Sequence, residues 1–529
     1  MQLAGRERGA AGIITLAVIA LRLWFARRVT FCGTPDSCYA LGLAQSLAKY
    51  HAFHVPFLFD LQLKHLLVPN TGLEYWRPGV SLVLLVLKPF GGVTLHGALI
   101  VTMLAGILWA LAAWFVAMRA TGNRKIALAS YTLCLLLPAG WNSSLTPDPT
   151  LFYAAAIAWF LALFTVKRQG FVQDVLALVC VGAAYMIRND AGLLLLVPVV
   201  VVLVLRVRGA MASQRRHEEA PGGSSAGYAL AMLIGFGIAL APMHLLYKHV
   251  LGTAYPAGAG QALYLNDLSD FSNYGVPVSL HTMLSHGVKH LIGMRISATA
   301  MIIYRVLALI LGYPALMFLP TLAVRHDGEV NGRVRLPELA GPAAFGAVVL
   351  VVYCLVLPAV GVFSALRSSV ALLPVTSVVV CIAILRAART RQLAIVLTVT
   401  VIAIYLVSGV MDDRRSIDMM NQVGEADRAQ ARALEAMGAR PGESTVVMTP
   451  DPVQFSVTTG YSAIPMPGNG LDAITNEALD LHPSYAILDG EHLPGSFTGV
   501  TERLHPVQIK TVPGQTVLLF ELPRELRQQ

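Results

Sequence analysis

The chain has 529 residues, 56% of them hydrophobic and 13% charged, with a mean hydropathy of +0.63. A soluble globule carries about 25% charged residues, so a single soluble domain is excluded, as are a disordered chain and a disulfide-dense secreted module. The formal charge of +9 is unevenly spread: residues 1–410 hold 30 Lys and Arg against 14 Asp and Glu, whereas 411–529 hold 9 against 16.

The first apolar run, 10–23, follows Arg6 and Arg8 and ends at Arg27-Arg28. No small-residue cleavage site closes it, so it reads as an uncleaved span rather than a signal peptide. Further spans are expected at 95–118, 126–140, 150–166, 173–187, 190–206, 225–247, 297–322, 341–360, 368–385 and 393–410. Each approaches the ~20 residues that cross ~30 Å of hydrocarbon. The run 78–88 is too short to cross and reads as an interfacial or re-entrant helix. Basic clusters at 119–125, 167–168, 206–216, 325–335 and 386–391 sit between apolar runs. That is the pattern of cytoplasmic loops, not of a nucleic-acid surface. Eleven spans then put the N-terminus inside and residues 411–529 outside.

The expected fold class is therefore a polytopic α-helical membrane protein. A transmembrane domain, 1–410, has about eleven transmembrane helices plus juxtamembrane helices and an outer loop at 29–94. A small soluble α/β domain, 411–529, follows it. Within the loop, 37–50 has apolar positions at helical spacing. The tail opens with a helix at 416–437, closed by Gly438 and Pro441, and continues with strand-like runs at 444–449, 485–488, 507–511 and 516–522. Residues 220–226 read as a flexible linker.

Carboxylates are scarce before residue 411, which makes their placement informative. Asp36 (in Thr34-Pro35-Asp36), Asp148 (in Thr146-Pro147-Asp148), Asp190 and Glu74 all fall on the outer face. A partly desolvated carboxylate there can have a raised pKa and act as a general base. Thr-Pro-Asp is equally a helix start, with Thr as cap, Pro in the first position and an acid in the first turn. It recurs at Thr449-Pro450-Asp451, where no catalysis is expected.

Arg77, Arg188, Arg295, Arg305 and Arg367 also fall outside, against the positive-inside trend. Arg305 lies within an expected span, where an arginine is costly without an anionic partner. Two partners suit such a residue: a lipid phosphate, which guanidinium binds in bidentate fashion, or an ion pair with Asp190, Asp267 or Asp270. Cys32 and Cys38 bracket Asp36 and can form a bridge in an oxidising compartment; the sequence leaves their bonding open. No metal-ligand spacing, P-loop, dinucleotide fingerprint or nucleophile elbow is present.

Several motifs occur in one order: Pro35-Asp36-Ser37-Cys38-Tyr39 heading an amphipathic helix; Tyr75-Trp76-Arg77-Pro78-Gly79 before an interfacial helix; Thr146-Pro147-Asp148-Pro149; and Arg188-Asn189-Asp190-Ala191-Gly192. Val446-Val447-Met448-Thr449-Pro450 and Thr459-Gly460-Tyr461 follow in the tail. This layout resembles the GT-C glycosyltransferases that use polyprenyl-phosphate sugars. It is most similar to their bacterial branch of protein O-mannosyltransferases, lipid A aminoarabinose transferases and Rgt-type transferases. Two positions depart from the family pattern: Gly79 stands where a second Pro is usual, and Leu366-Arg367-Ser368 lacks a Tyr.

The resemblance implies transfer of a sugar from a polyprenyl-phosphate donor to a hydroxyl of a lipid, polysaccharide or protein, at the outer face of the inner (plasma) membrane and with inversion. It implies Asp36 as catalytic base, Asp148 as the acid that shapes the site and Arg77 as a ligand of the donor phosphate. Arg188, Arg305 and Arg367 are the further phosphate ligands, and Glu74 and Asp190 the further site candidates. No cofactor is required, and no cluster calls for a metal. Oligosaccharyltransferases of the superfamily use one, so metal dependence stays open. The alternatives are a transporter or flippase for lipid-linked glycans, although no paired broken helices in two related halves are seen, and a glycan ligase built around 248–295.

Overall fold

The computed structural model describes residues 4–59, 61, 68–164, 171–204, 223–261, 263–305, 340–388, 390–489, 497–513 and 515–523. The chain folds as a helical body followed by a small mixed sheet. Helix α1 is Ala4–Ala26 and α2 is Pro35–Tyr50. The short α3, Gly79–Leu84, runs into a 3-10 turn at Leu85–Phe90. Then come α4 (Leu95–Thr121), α5 (Arg124–Leu136), α6 (Pro149–Leu163), α7 (Phe171–Ile187) and α8 (Gly223–Leu251). After α9 (Val288–Arg305) follow α10 (Pro358–Val370), α11 (Leu373–Ala387) and α12 (Arg391–Glu435).

Among the described residues, four helices are long and apolar enough to cross a membrane: Glu7–Ala26, Leu95–Thr121, Leu230–Leu251 and Gln392–Glu435. A fifth crossing arises if the pair Ser364–Val370 and Leu373–Ala387, bent by 59°, counts as one. The stretches Pro149–Leu163, Phe171–Ile187, Asn189–Val204 and Gly341–Val356 are apolar but shorter.

Two expected spans are broken where proline enters. The run 341–360 stops before Pro358, which opens α10, and 368–385 is interrupted between α10 and α11, where Pro374 occupies the first turn. A proline lacks the N–H that would continue the ladder and fits only a new first turn. The helix expected at 416–437 is no separate element. It continues the run at 393–410 as the 45-residue α12, since no proline or turn chemistry lies between. The presumed linker is helical from Gly223 onward. Residues 220–222, the second part of the 297–322 run and the basic loops at 167–168, 206–216 and 325–335 lie outside the described residues.

The sheet has strand order β2-β1-β3-β5-β4. Strands β1 (Gly442–Thr449) and β2 (Tyr461–Pro465) pair in parallel, as do β1 and β3 (Tyr485–Asp489). Strands β4 (Gln508–Thr511) and β5 (Val517–Glu521) return antiparallel. Helices α13 (Pro452–Thr459) and α14 (Leu471–Leu481) connect the parallel strands.

The segment between α2 and α3 is built into this sheet. Leu58 N donates to Ala463 O at 2.9 Å and Ala463 N to Pro56 O at 2.9 Å. Leu58 and Leu61 are buried in the same apolar cluster as Met448, Ile464 and Phe520. The segment that follows the Asp36 helix is thereby pinned against the sheet.

Candidate active site

Helix α2 starts because Thr34 caps it, its hydroxyl accepting from Ser37 N at 3.3 Å, and Pro35 supplies a preset first turn. Asp36 thus sits in that first turn. Cys32 and Cys38 are disulfide-bonded with Cα atoms 5.0 Å apart, closing a small ring around Asp36. Gly33, at φ +97°, packs so tightly that a Cβ would lie 2.5 Å from Thr146 Cγ2, and its carbonyl accepts from Gln454 Nε2 at 2.9 Å.

Asp148 is itself the cap of α6, its Oδ1 accepting from Thr150 N at 2.7 Å. This corrects the expectation that Thr146 starts that helix: Asp148-Pro149 is the cap and first position. The same holds for Asp451-Pro452 at α13. Only Thr34 uses the full Thr-Pro-Asp start.

The structure brings Asp36 and Asp148 onto one guanidinium. Arg367 Nη1, from α10, donates to Asp36 Oδ2, and its Nη2 lies 3.7 Å from Asp148 Oδ2. Trp76 Nε1 donates to Asp36 Oδ1 at 2.7 Å, and Thr34 Oγ1 to Asp148 Oδ2 at 3.2 Å. Burial favours the neutral acid. Arg367 and then Arg188, helped by the Trp76 hydrogen bond, outweigh it and hold the Asp36 carboxyl below the ordinary carboxylate range. The raised basicity expected from desolvation alone is therefore not found.

A second group adjoins the first. Arg188 caps the 3-10 turn Asn189–Leu195 and grips Asp190, with Nε to Oδ1 at 3.0 Å and Nη2 to Oδ2 at 3.2 Å; Nη2 also donates to Ser364 Oγ at 3.2 Å. Tyr353 OH donates to Asp190 Oδ2 at 2.5 Å. Of the two partners open to Arg188 in the sequence, the ion pair with Asp190 is the one observed.

Arg77 is placed differently. Gly79 lets α3 approach α7 so closely that a Cβ would lie 2.4 Å from the Met186 carbonyl oxygen, which explains why a second proline cannot stand there. Arg77 is 4% exposed. Its Nε donates to Asn189 Oδ1, and its guanidinium lies over the Tyr185 ring at 3.7 Å. Both Nη1 and Nη2 are buried with no hydrogen-bond partner among the described residues.

The three carboxylates and three guanidiniums of this assembly balance in number but not in place. Arg367 serves two acids, and Arg77 serves none. One end of the site is thus anionic and the other cationic, an arrangement suited to a substrate that offers a proton at one end and a phosphate at the other.

No protein-family profile and no curated protein sequence matches this chain. Solved structures do. Over 98% of this chain and 99% of the other, at 12% identity and a TM-score of 0.58, the structure is similar to ArnT from Cupriavidus metallidurans bound to undecaprenyl phosphate. The chain has a GT-C fold. Apo ArnT gives a TM-score of 0.43 at 13% identity, over 98% of this chain and all of that one. The archaeal oligosaccharyltransferase AglB from Archaeoglobus fulgidus, in complex with an inhibitory peptide and a dolichol-phosphate, gives 0.45 at 13% identity, over 90% of this chain and 69% of the other.

Within this GT-C fold, Glu74 and Arg305 take no part in the contacts named above and make interactions of their own. Arg305 ends α9, which packs on α10. Arg295 donates to Leu291 O and Leu355 O. Among the described residues, no group of three or more His, Cys, Asp or Glu is placed to hold a metal ion. Sequence reading missed Trp76, Asn189, Ser364 and Tyr353, and took Thr34 only as a helix cap. Trp76 and Asn189 stand beside Arg77 and Arg188 in the motifs already singled out, whereas Tyr353 lies in an apolar run with nothing to mark it.

Proposed function

We propose that this protein is an integral membrane glycosyltransferase that moves a sugar from a polyprenyl-phosphate donor to an acceptor hydroxyl at the outer face of the membrane. The observation that carries this reading is the buried Arg77 guanidinium, two of whose nitrogens have no partner among the described residues, one residue from the Trp76 that holds Asp36. A fixed cation with free donors calls for an oxyanion, and a carboxylate stands close by to receive a proton.

In this mechanism the acceptor oxygen attacks the anomeric carbon as Asp36 takes its proton. The bond from that carbon to the phosphate oxygen breaks, and the electron pair leaves with the phosphate, inverting the centre. Charge grows on the phosphate during the step, so Arg77, with Arg188 and Arg367, stabilises the transition state more than the ground state. Arg367 links the two ends: as it turns toward the departing phosphate it releases Asp36, whose basicity rises when it is needed. Asp148 keeps Arg367 in reach. The arrangement of the chain in this proposal is a transmembrane domain, 1–410, of about eleven spans, an inner N-terminus and an outer domain, 411–529.

The test is transfer by purified protein in nanodiscs, with a panel of polyprenyl-phosphate sugars, a membrane extract as acceptor, and release of polyprenyl phosphate as readout. Asp36→Asn and Arg77→Ala should both abolish transfer while the protein still folds cooperatively, Asp36→Asn melting lower because Arg367 loses a partner. A wild type that releases polyprenyl phosphate from no donor sinks the proposal and favours a transporter or ligase. Full activity in Asp36→Asn removes Asp36 as base and leaves Asp148 and Glu74.

A further inference from the structure

Beside Arg77 two more buried donors have no partner among the described residues: the hydroxyls of Tyr39 and Tyr247. Tyr39 is 2% exposed and Tyr247 fully buried. They come from different elements. Tyr39 lies one turn beyond Asp36 on α2, and its ring stacks on Trp76 at 4.8 Å. Tyr247 lies near the end of α8, its ring centre 5.4 Å from the Arg77 guanidinium carbon. The two tyrosines are close enough to interact electrostatically. Tyr185 OH, by contrast, pairs with His244 Nε2 at 3.2 Å and Tyr353 OH with Asp190, while the Tyr153 hydroxyl near Arg188 is also without a partner among the described residues.

A buried hydroxyl without a partner costs folding free energy, which a bound ligand can return. These groups share one chemical demand. Guanidinium only donates, each phenol has a proton to give, and the local charge is positive. Three side chains from α2, α8 and the turn before α3 therefore present unused donors beside a cation, with no carboxylate or carbonyl paired to them among the described residues, which suits an anionic phosphate better than a neutral hydroxyl.

We infer that Tyr39 and Tyr247 are phosphate-binding residues that donate their hydroxyl protons to the donor's phosphate oxygens beside Arg77. This rests on the glycosyltransferase reading. The donor phosphodiester has two non-bridging oxygens and the departing monoester has three. The phenols therefore act more on the departing group, and they hold the lipid phosphate after transfer.

The experiment uses the full-length protein in nanodiscs with undecaprenyl phosphate, undecaprenol and inorganic phosphate as probes, comparing wild type with Tyr39→Phe, Tyr247→Phe and Arg77→Ala. Wild type should bind undecaprenyl phosphate well, inorganic phosphate weakly and undecaprenol not measurably. Each Phe variant should weaken undecaprenyl phosphate binding about tenfold and lower kcat more than it raises the donor KM. Without lipid, each Phe variant should melt at the same or a higher temperature than wild type, since it removes an unpaired hydroxyl. It should also gain less on adding undecaprenyl phosphate. Phe variants that bind undecaprenyl phosphate like wild type, while Arg77→Ala does not bind it, overturn the inference and leave the transferase reading standing. A wild type that does not distinguish undecaprenyl phosphate from undecaprenol overturns both.

Discussion

Asp36 in the helical body is largely covered and Glu477 in the C-terminal domain is fully buried, and burial pushes both toward the neutral acid with opposite results. Arg367 and Arg188 outweigh burial at Asp36 and hold it charged. Nothing opposes burial at Glu477, on α14, where both carboxyl oxygens lack partners among the described residues and the carboxyl is pushed far above its ordinary range. Burial by itself does not decide protonation. The decision lies with the cation that the fold brings to the acid, here from 331 residues away.

The comparison breaks most sharply at the acid itself. Asp36→Asn should cost about 10²–10⁴-fold in transfer rate, whereas Glu477→Gln should leave the rate within about twofold; parallel turnover assays decide. Next, Arg367→Gln should make Asp36 resemble Glu477. Removing one partner of a buried ion pair costs about 3 kcal/mol of stability, read by chemical denaturation. The acidic limb of the kcat/KM profile, which in wild type should lie below the ordinary carboxylate range, should move to higher pH. An unmoved limb would mean that Arg367 does not set the charge of Asp36.

Reducing the Cys32–Cys38 bridge, or replacing both residues by Ser, should destabilise the protein by about 2 kcal/mol, the loop-closure value for so small a ring. It should lower the transfer rate without changing inorganic phosphate binding, since the ring encloses Asp36 and not Arg77.

The smallest effect concerns the pH dependence of stability, which has opposite signs at the two acids. Asp36, depressed on folding, contributes stability that is present above its ordinary pKa and lost as pH falls through its folded value. Glu477, raised on folding, contributes most below its ordinary pKa and less as pH rises from there toward its folded value. Glu477→Met should therefore stabilise the protein at pH 8 by more than at pH 5, measured by thermal unfolding. Equal gains would show that the folded Glu477 is ionised across that range, with its pKa not raised.

Much of this was legible in the sequence, for stated reasons. Asp36, Arg77, Asp148, Arg188 and Arg367 could be found because charge is rare in an apolar chain, so each instance stands out. The helix from Pro35 and the strands at 444–449 and 485–488 followed from caps and from β-branched runs. Strand β2, Tyr461–Pro465, was hidden because it is five residues long, fully buried and ends in proline, so it reads as a turn. The pairing of Arg367 with Asp36 depends on α10 and α2 both meeting α6, which no local pattern encodes. The raised basicity expected of Asp36 failed for the same reason: a desolvation argument can be made locally, whereas the countervailing charge arrives from far along the chain.

Helix α12 leaves the apolar stretch at about residue 410 and enters the C-terminal domain at Glu435 without a break, so its residue count also fixes an angle. One residue inserted between 411 and 416 would rotate everything beyond by about 100° and raise it by about 1.5 Å. The sheet edge would swing away from the Asp36 loop, and the Gln454 contact to Gly33 and the Ala463 contacts to Pro56 and Leu58 would be lost together. Seven inserted residues would nearly restore the angle while lifting the domain by about 10 Å. The C-terminal domain is thus indexed to the candidate site as a key is to its lock, by rotation as well as by depth.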